Sequence, residues 1–156
     1  MRAPSRTTAL VAAVAVQAVL VVVAVAPRLS ARVFGQTYAV RVEPLDPIDP
    51  FRGAYVTLRY TDFQSESVQA GRNGDVFVPL IRNGDLWRGG TAGRNRPATG
   101  PYVRCRYTGS LHCGIESLFL PQDRAAALER DLREGGVARI KVDGRGNASV
   151  LDVRTR

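Results

Sequence analysis

The chain reads in two hydrophobic periods. From Ala9 to Ala26 it is a run of Ala, Val and Leu interrupted only by Gln17. An amphipathic soluble helix would carry a polar face, and a single glutamine does not make one. At about 1.5 Å per residue the run reaches roughly 27 Å, close to the lower limit for crossing a hydrocarbon core of about 30 Å. From residue 37 the period becomes two. Tyr38, Val40 and Val42 alternate with Thr37, Ala39 and Arg41, the pattern of a half-buried strand. Further strands are predicted at 54–60, 76–81, 85–88, 102–107, 111–120, 137–142 and 148–153, each rich in β-branched or aromatic residues or bounded by turn residues. One helix is predicted inside this region, over 122–134. Ala125, Leu128 and Leu132 share a face there, Asp123 favours the start, and Gly135-Gly136 ends it.

The punctuation between these segments sharpens the picture. Pro44, Pro47 and Pro50 fall within seven residues, which predicts an ordered, extended turn that continues neither a ladder nor a helix. Asn73-Gly74-Asp75 and Asn83-Gly84-Asp85 read as two turns of one meander. Pro79 between them predicts an edge or a bulge. Residues 89–100, rich in Gly, Thr, Arg and Pro, predict a mobile loop. The expected fold is mainly β (α+β): one N-terminal transmembrane helix, then a compact antiparallel β-rich domain with a single helix in its C-terminal half. The expected layout is a cytoplasmic tail at 1–8, an anchor at 9–26, a juxtamembrane linker at 27–36 and the domain at 37–156.

Charge refines this layout. The net charge is +8, which by itself suggests nucleic acid. Yet residues 1–42 hold Arg2, Arg6, Arg28, Arg32 and Arg41 with no acidic residue, so most of the excess flanks the apolar run. That is the distribution expected beside a bilayer, and no basic run interleaved with aromatics points to nucleic acid. A cleaved leader is the competing reading of the apolar run, because Ala24-Val25-Ala26 has the small-x-small form. Pro27 directly after it blocks extended binding to a peptidase, which favours an uncleaved anchor. A short tail ahead of a span stays in the cytoplasm as a rule, so the domain is expected on the extracytoplasmic side of the cytoplasmic membrane.

Gly53-Ala54-Tyr55-Val56-Thr57-Leu58-Arg59-Tyr60 resembles the signature of the GDYXXLXY family of bacterial membrane-associated proteins. Val42 to Arg52 resembles that family's lead-in, and Cys113-Gly114-Ile115-Glu116-Ser117-Leu118-Phe119-Leu120-Pro121 resembles its Gly-Ile-Glu block. The two blocks stand in the family's order behind the apolar run. Ala54 departs from the family's aspartate, so any chemistry that carboxylate supplied in relatives would be missing here. The resemblance implies a bacterial envelope protein without a known reaction, and a larger polytopic membrane protein as partner.

Few residues offer chemistry. Cys105 and Cys113 flank Thr108-Gly109-Ser110; a symmetric hairpin would set them opposite each other, in range of a disulfide, and two free thiols are the alternative. A zinc site on the two cysteines with His112 and Glu116 lacks Cys-x-x-Cys spacing, and neighbouring strand residues point to opposite faces. His112, the single histidine, reads as a surface residue for the same reason. Glu116 lies among apolar residues and needs a partner; Arg52, Arg59 and Arg104 are the candidates. A Ser-Lys hydrolase of the signal-peptidase kind would have to use Ser30 and Lys141, outside any matching motif. No metal or cofactor is expected, and no catalytic group. The leading expectation is an accessory or interaction domain partnering another membrane protein, docking through the Pro-rich turn, the Tyr55/Tyr60 strand or the 89–100 loop. The other is a small-ligand module of the envelope, with binding residues drawn from Arg52, Gly53, Tyr55, Leu58, Tyr60, Gly114 and Glu116.

Overall fold

The structure, a computed structural model, describes residues 5–44, 55–63, 73–119, 121, 128, 131–132 and 135–155. The apolar run forms α1 (Arg6–Phe34). Ser5 caps it, its hydroxyl accepting the Thr8 N–H at 3.2 Å. Pro27 lies inside this helix, and the ring costs the Val23 carbonyl its usual partner without ending the helix. The stretch 27–36, expected as a linker, is instead the last two turns of α1 and the start of the first strand. The apolar part is exposed throughout, as a helix built to meet lipid would be.

Nine strands follow: β1 (Gln36–Pro44), β2 (Tyr55–Arg59), β3 (Gly74–Asn83), β4 (Leu86–Gly89), β5 (Tyr102–Tyr107), β6 (Leu111–His112), β7 (Ser117–Phe119), β8 (Gly136–Val142) and β9 (Ala148–Thr155). They form one curled sheet in the order β6-β5-β3-β4-β1-β2-β7, with β8 and β9 branching from β1. Every pairing is antiparallel except β1 with β4, which meet in parallel at Val40 and Trp87, so the sheet is mixed. β1 organises it. Its residues 36–42 pair with β8, and its last two, Glu43 and Pro44, pair with β2.

The core collects the inward halves of these strands. Tyr38, Val40 and Val42 of β1 meet Val56 and Leu58 of β2, Val76, Val78 and Leu80 of β3, and Ala138, Ile140 and Val142 of β8. On β9 the inward positions are Ala148, Val150 and then Val153. A bulge beside Arg139/Ile140 inserts one extra residue and moves the phase by one, so an apparently broken alternation still faces the core.

Several local expectations need correction. β3 is an interior strand, not an edge. Its residues Gly74–Pro79 pair with β5 and its residues Leu80–Asn83 pair with β4. Pro79 stands at the handover, where its carbonyl still accepts the Gly90 N–H at 2.7 Å and only its own missing donor is lost. The two Asn-Gly-Asp copies open and close this one strand: Gly74 and Asp75 begin it, and Gly84 (φ 63°) turns it back. The 89–100 segment is tethered. Phe77 and Gly93 exchange both backbone bonds (2.8 and 2.9 Å), Ala92 is buried, and the Arg96 guanidinium donates to the Gly144 carbonyl at 2.8 Å while lying over the Tyr102 ring. The single strand expected at 111–120 is two, broken at Gly114 (φ 76°). The helix expected at 122–134 lies mostly outside the described residues; of its face, Leu132 is fully buried. The Pro-rich turn at 45–50 also lies outside them.

The end of α1 is locked to the sheet. Ala31 is fully buried, and α1 packs against β8 and β9. The Ser30 hydroxyl donates to Asp143 at 2.6 Å, and Lys141 Nζ donates to the Arg32 carbonyl at 2.7 Å. Gly35 permits the sharp exit from helix to strand, since a Cβ there would lie 2.3 Å from the Ala31 carbonyl oxygen. Asp143 also builds the β8–β9 turn, accepting the Arg145 and Asn147 backbone N–H groups and the Asn147 amide. Burial pushes its carboxyl up, but the bonds from Ser30, Asn147 and the two backbone donors outweigh that and hold it below the usual carboxylate range.

Candidate functional site

The two sequence blocks singled out above are far apart in the chain and adjacent in space. β2 pairs with β7 in the register Tyr55↔Phe119, Val56↔Leu118 and Thr57↔Ser117. Beyond β7 the contact continues, with the Leu58 N–H donating to the Glu116 carbonyl at 2.7 Å. Leu58 and Tyr60 follow the two-residue period into the core, at 1% and 8% exposure. The Tyr60 hydroxyl donates to the buried Ile115 carbonyl at 2.8 Å, and its ring stacks on Phe63. Burial first, and the nearby Glu116 charge second, push the Tyr60 phenol well above its ordinary value, so it stays neutral as a donor.

The far end of the second block is tied separately. Cys105 and Cys113 form a disulfide across the β5–β6 hairpin, whose register sets Arg106 opposite His112 and Tyr107 opposite Leu111. Gly114 then takes a left-handed conformation, which lets the chain leave β6 and turn toward β2. The Glu116 carboxylate reaches back to accept the Cys113 N–H. A cleft of about 470 Å³ opens beside this seam, walled by Leu58, Arg59, Tyr60, Phe63, Leu111 and Glu116 among others.

The expected site residues therefore divide. Leu58, Tyr60 and Glu116 line one cleft, Gly114 lines the neighbouring groove with Glu116, and the Tyr55 backbone reaches the second block through the β2–β7 pairing. Arg52 and Gly53 lie outside the described residues. Arg104 is not a partner of Glu116: it pairs with Asp75 across β5 and β3 at 2.6 Å. Arg59 shares the cleft with Glu116 but forms no ion pair with it. His112 is exposed, with its Nε2 2.8 Å from the Ser110 hydroxyl, and Cys113 is bonded to Cys105, so these two do not form a metal site with Glu116. No group of three potential metal ligands occurs among the described residues. Ser30, in the last turns of α1, donates to Asp143, and Lys141 donates to the Arg32 carbonyl, so the two do not bond each other.

Two contacts escaped sequence reasoning. The Tyr60–Ile115 bond joins residues 55 positions apart, and Ser30–Asp143 joins residues 113 apart. The Asp-Gly-x-Gly-Asn turn was visible in the sequence; that its aspartate also receives a helix was not. The family model for GDYXXLXY protein matches residues 17–153. No curated protein and no solved structure matches the chain.

Proposed function

Because the chain belongs to the GDYXXLXY family, we propose that it is a membrane-anchored, extracytoplasmic accessory domain that serves a larger membrane protein by contact and not by catalysis. The observation that carries this reading is the lock between α1 and the sheet. A cleaved leader is discarded, and evolution gains nothing by fastening its end into the domain. Here Ser30 is tied to the β8–β9 turn and Arg32 to β8, Ala31 between them is fully buried, and the helix runs back from them through the apolar run without a break. A domain held this way meets only what lies at the membrane surface. The Cys105–Cys113 disulfide supports the oxidising side of the membrane.

The family motif fits the same reading. Leu58 and Tyr60 are spent inside the fold, with the Tyr60 hydroxyl satisfied by Ile115, so these two motif residues build the seam between the blocks. A second reading rests on the cleft beside the seam, where Arg59 and Glu116 would offer opposite charges to a small envelope ligand. A hydrolase of the signal-peptidase kind is not favoured, since Lys141 is engaged as a donor to the Arg32 carbonyl.

The test is affinity purification of the full-length chain from its own membranes in mild detergent. A stoichiometric polytopic partner, lost when exposed residues near Tyr55 are replaced, supports the accessory role. Recovery of the chain alone, together with a small molecule whose retention needs Arg59 and Glu116, would overturn it in favour of the second reading.

A further inference from the structure

A second groove, of about 460 Å³, lies between the end of α1 and the strands β7 and β9. Its helix side is a single stripe, Val25, Arg28, Leu29 and Arg32, spaced by three and four so that all four project from one face. Phe119 and Glu116 stand on the opposite wall. Phe119 is 74% exposed, unusual for a phenylalanine ending a strand whose neighbour Leu118 is buried. Neither the Arg28 nor the Arg32 guanidinium forms an ion pair with a described residue, and both residues are exposed.

The position of this groove is set by the apolar run. Val25 belongs to its last turn, and Arg32 stands about 10 Å further along the axis. Arg28 stands about 4.5 Å beyond Val25, so the two arginines bracket the polar headgroup layer, roughly 5–8 Å deep, that borders a hydrocarbon core. We propose that the groove holds one phospholipid of the surrounding bilayer whose headgroup carries a phosphate and a primary ammonium, as in phosphatidylethanolamine. The inference rests on the anchor reading above. The phosphate sits between Arg28 and Arg32, which are suited to fork-like binding of phosphate oxygens. The ammonium meets the Glu116 carboxylate, which has accepting capacity beyond the one N–H from Cys113. The upper acyl segment lies along Val25, Leu29 and the exposed Phe119. A groove with two cations and one anion on opposite walls is complementary to a zwitterion oriented along it, which a purely anionic headgroup would not satisfy.

The experiment uses the full-length chain extracted in mild detergent, washed extensively, and analysed by native mass spectrometry with phosphatidylethanolamine, phosphatidylglycerol or phosphatidylcholine added. The expected result is one retained phosphatidylethanolamine per chain, preferred over the other two. Arg28→Gln with Arg32→Gln should lower retention about tenfold or more, since two charge-assisted contacts are lost. Glu116→Gln keeps an acceptor for the Cys113 N–H and should erase the preference for phosphatidylethanolamine over phosphatidylglycerol. Equal retention of all three lipids, or retention unchanged in the double arginine variant, would overturn the proposal. An alkaline wash of the parent membranes separates the two ideas. A chain that stays in the membrane but holds no lipid defeats the groove alone, whereas a chain released by the wash defeats the anchor and the groove with it.

Discussion

Replacing Tyr60 with Phe removes one oxygen atom and tests what the family motif is for. The ring stays against Phe63 and in the core, so packing changes little. What is lost is the bond to the Ile115 carbonyl at 2.8 Å. Ile115 is fully buried, so water does not replace the lost donor. An unsatisfied buried carbonyl costs about 2 kcal/mol, within a range of roughly 1–3. At about 4 °C per kcal/mol for a domain of this size, Tm should fall by roughly 8 °C. Alkaline pH supplies an independent check. The Tyr60 phenol is raised in the fold, so its contribution is complete below the ordinary value of 10.0 and is lost as pH rises above it. The gap between wild type and Tyr60→Phe should therefore be constant from neutral pH upward and narrow above about pH 10. Near-UV circular dichroism of the full chain in mild detergent reads both. A Tm within about 2 °C of wild type would refute the assignment of Tyr60 as the buried tie between the blocks.

Three further outcomes follow from the same geometry. Ser30→Ala should cost about 1 kcal/mol and expose the 28–36 segment to limited proteolysis, because the helix end loses its tie to Asp143; unchanged protection would mean that burial of Ala31 alone holds it. Asp143 is held below the usual carboxylate range, so its contribution is present above about pH 4 and lost as pH falls through its folded value; Asp143→Asn should flatten acid unfolding measured by the same ellipticity. Reducing the Cys105–Cys113 bond closes a loop of sequence separation 8 no longer, and the chain-entropy account puts the loss at about 2.5 kcal/mol, readable as a lower urea midpoint in the presence of reductant.

Much of this architecture was legible because it is written at short range. The apolar run, the two-residue alternation of Tyr38, Val40 and Val42, and the Gly84 and Asp143–Asn147 turns depend on neighbours in the chain. The pairing of Cys105 with Cys113 is also local, since a hairpin of known centre sets the register. What could not be read is settled by distant partners. Pro79 looked like an edge because a proline forfeits a donor; only the arrival of β5 on one stretch and β4 on the next shows how an interior strand tolerates it. The Gly- and Arg-rich 89–100 segment looked mobile by composition, but Gly93 finds Phe77 and Arg96 finds Tyr102 and Gly144. Glu116 was expected to seek an arginine, and its described partner is a backbone N–H three residues away, a bond that exists because Gly114 turns the chain. In each case the missing information was which strand lay alongside, and composition does not encode that.

The fastening of α1 has a mechanical consequence. A domain on a flexible tether samples all orientations above the bilayer and must give up that freedom on each encounter. On the anchor reading proposed above there is no slack: the last helical turn is part of the fold, so rotation of the helix about its own axis would set the azimuth of the whole domain. The apolar run is slightly shorter than an average hydrocarbon core, so a helix spanning one there would stand upright more readily than tilted. Lengthening that run by a few residues would rotate the domain by about 100° per residue added and raise it by about 1.5 Å each time. Helical phase, and not distance alone, would then decide which face a neighbour in the membrane meets.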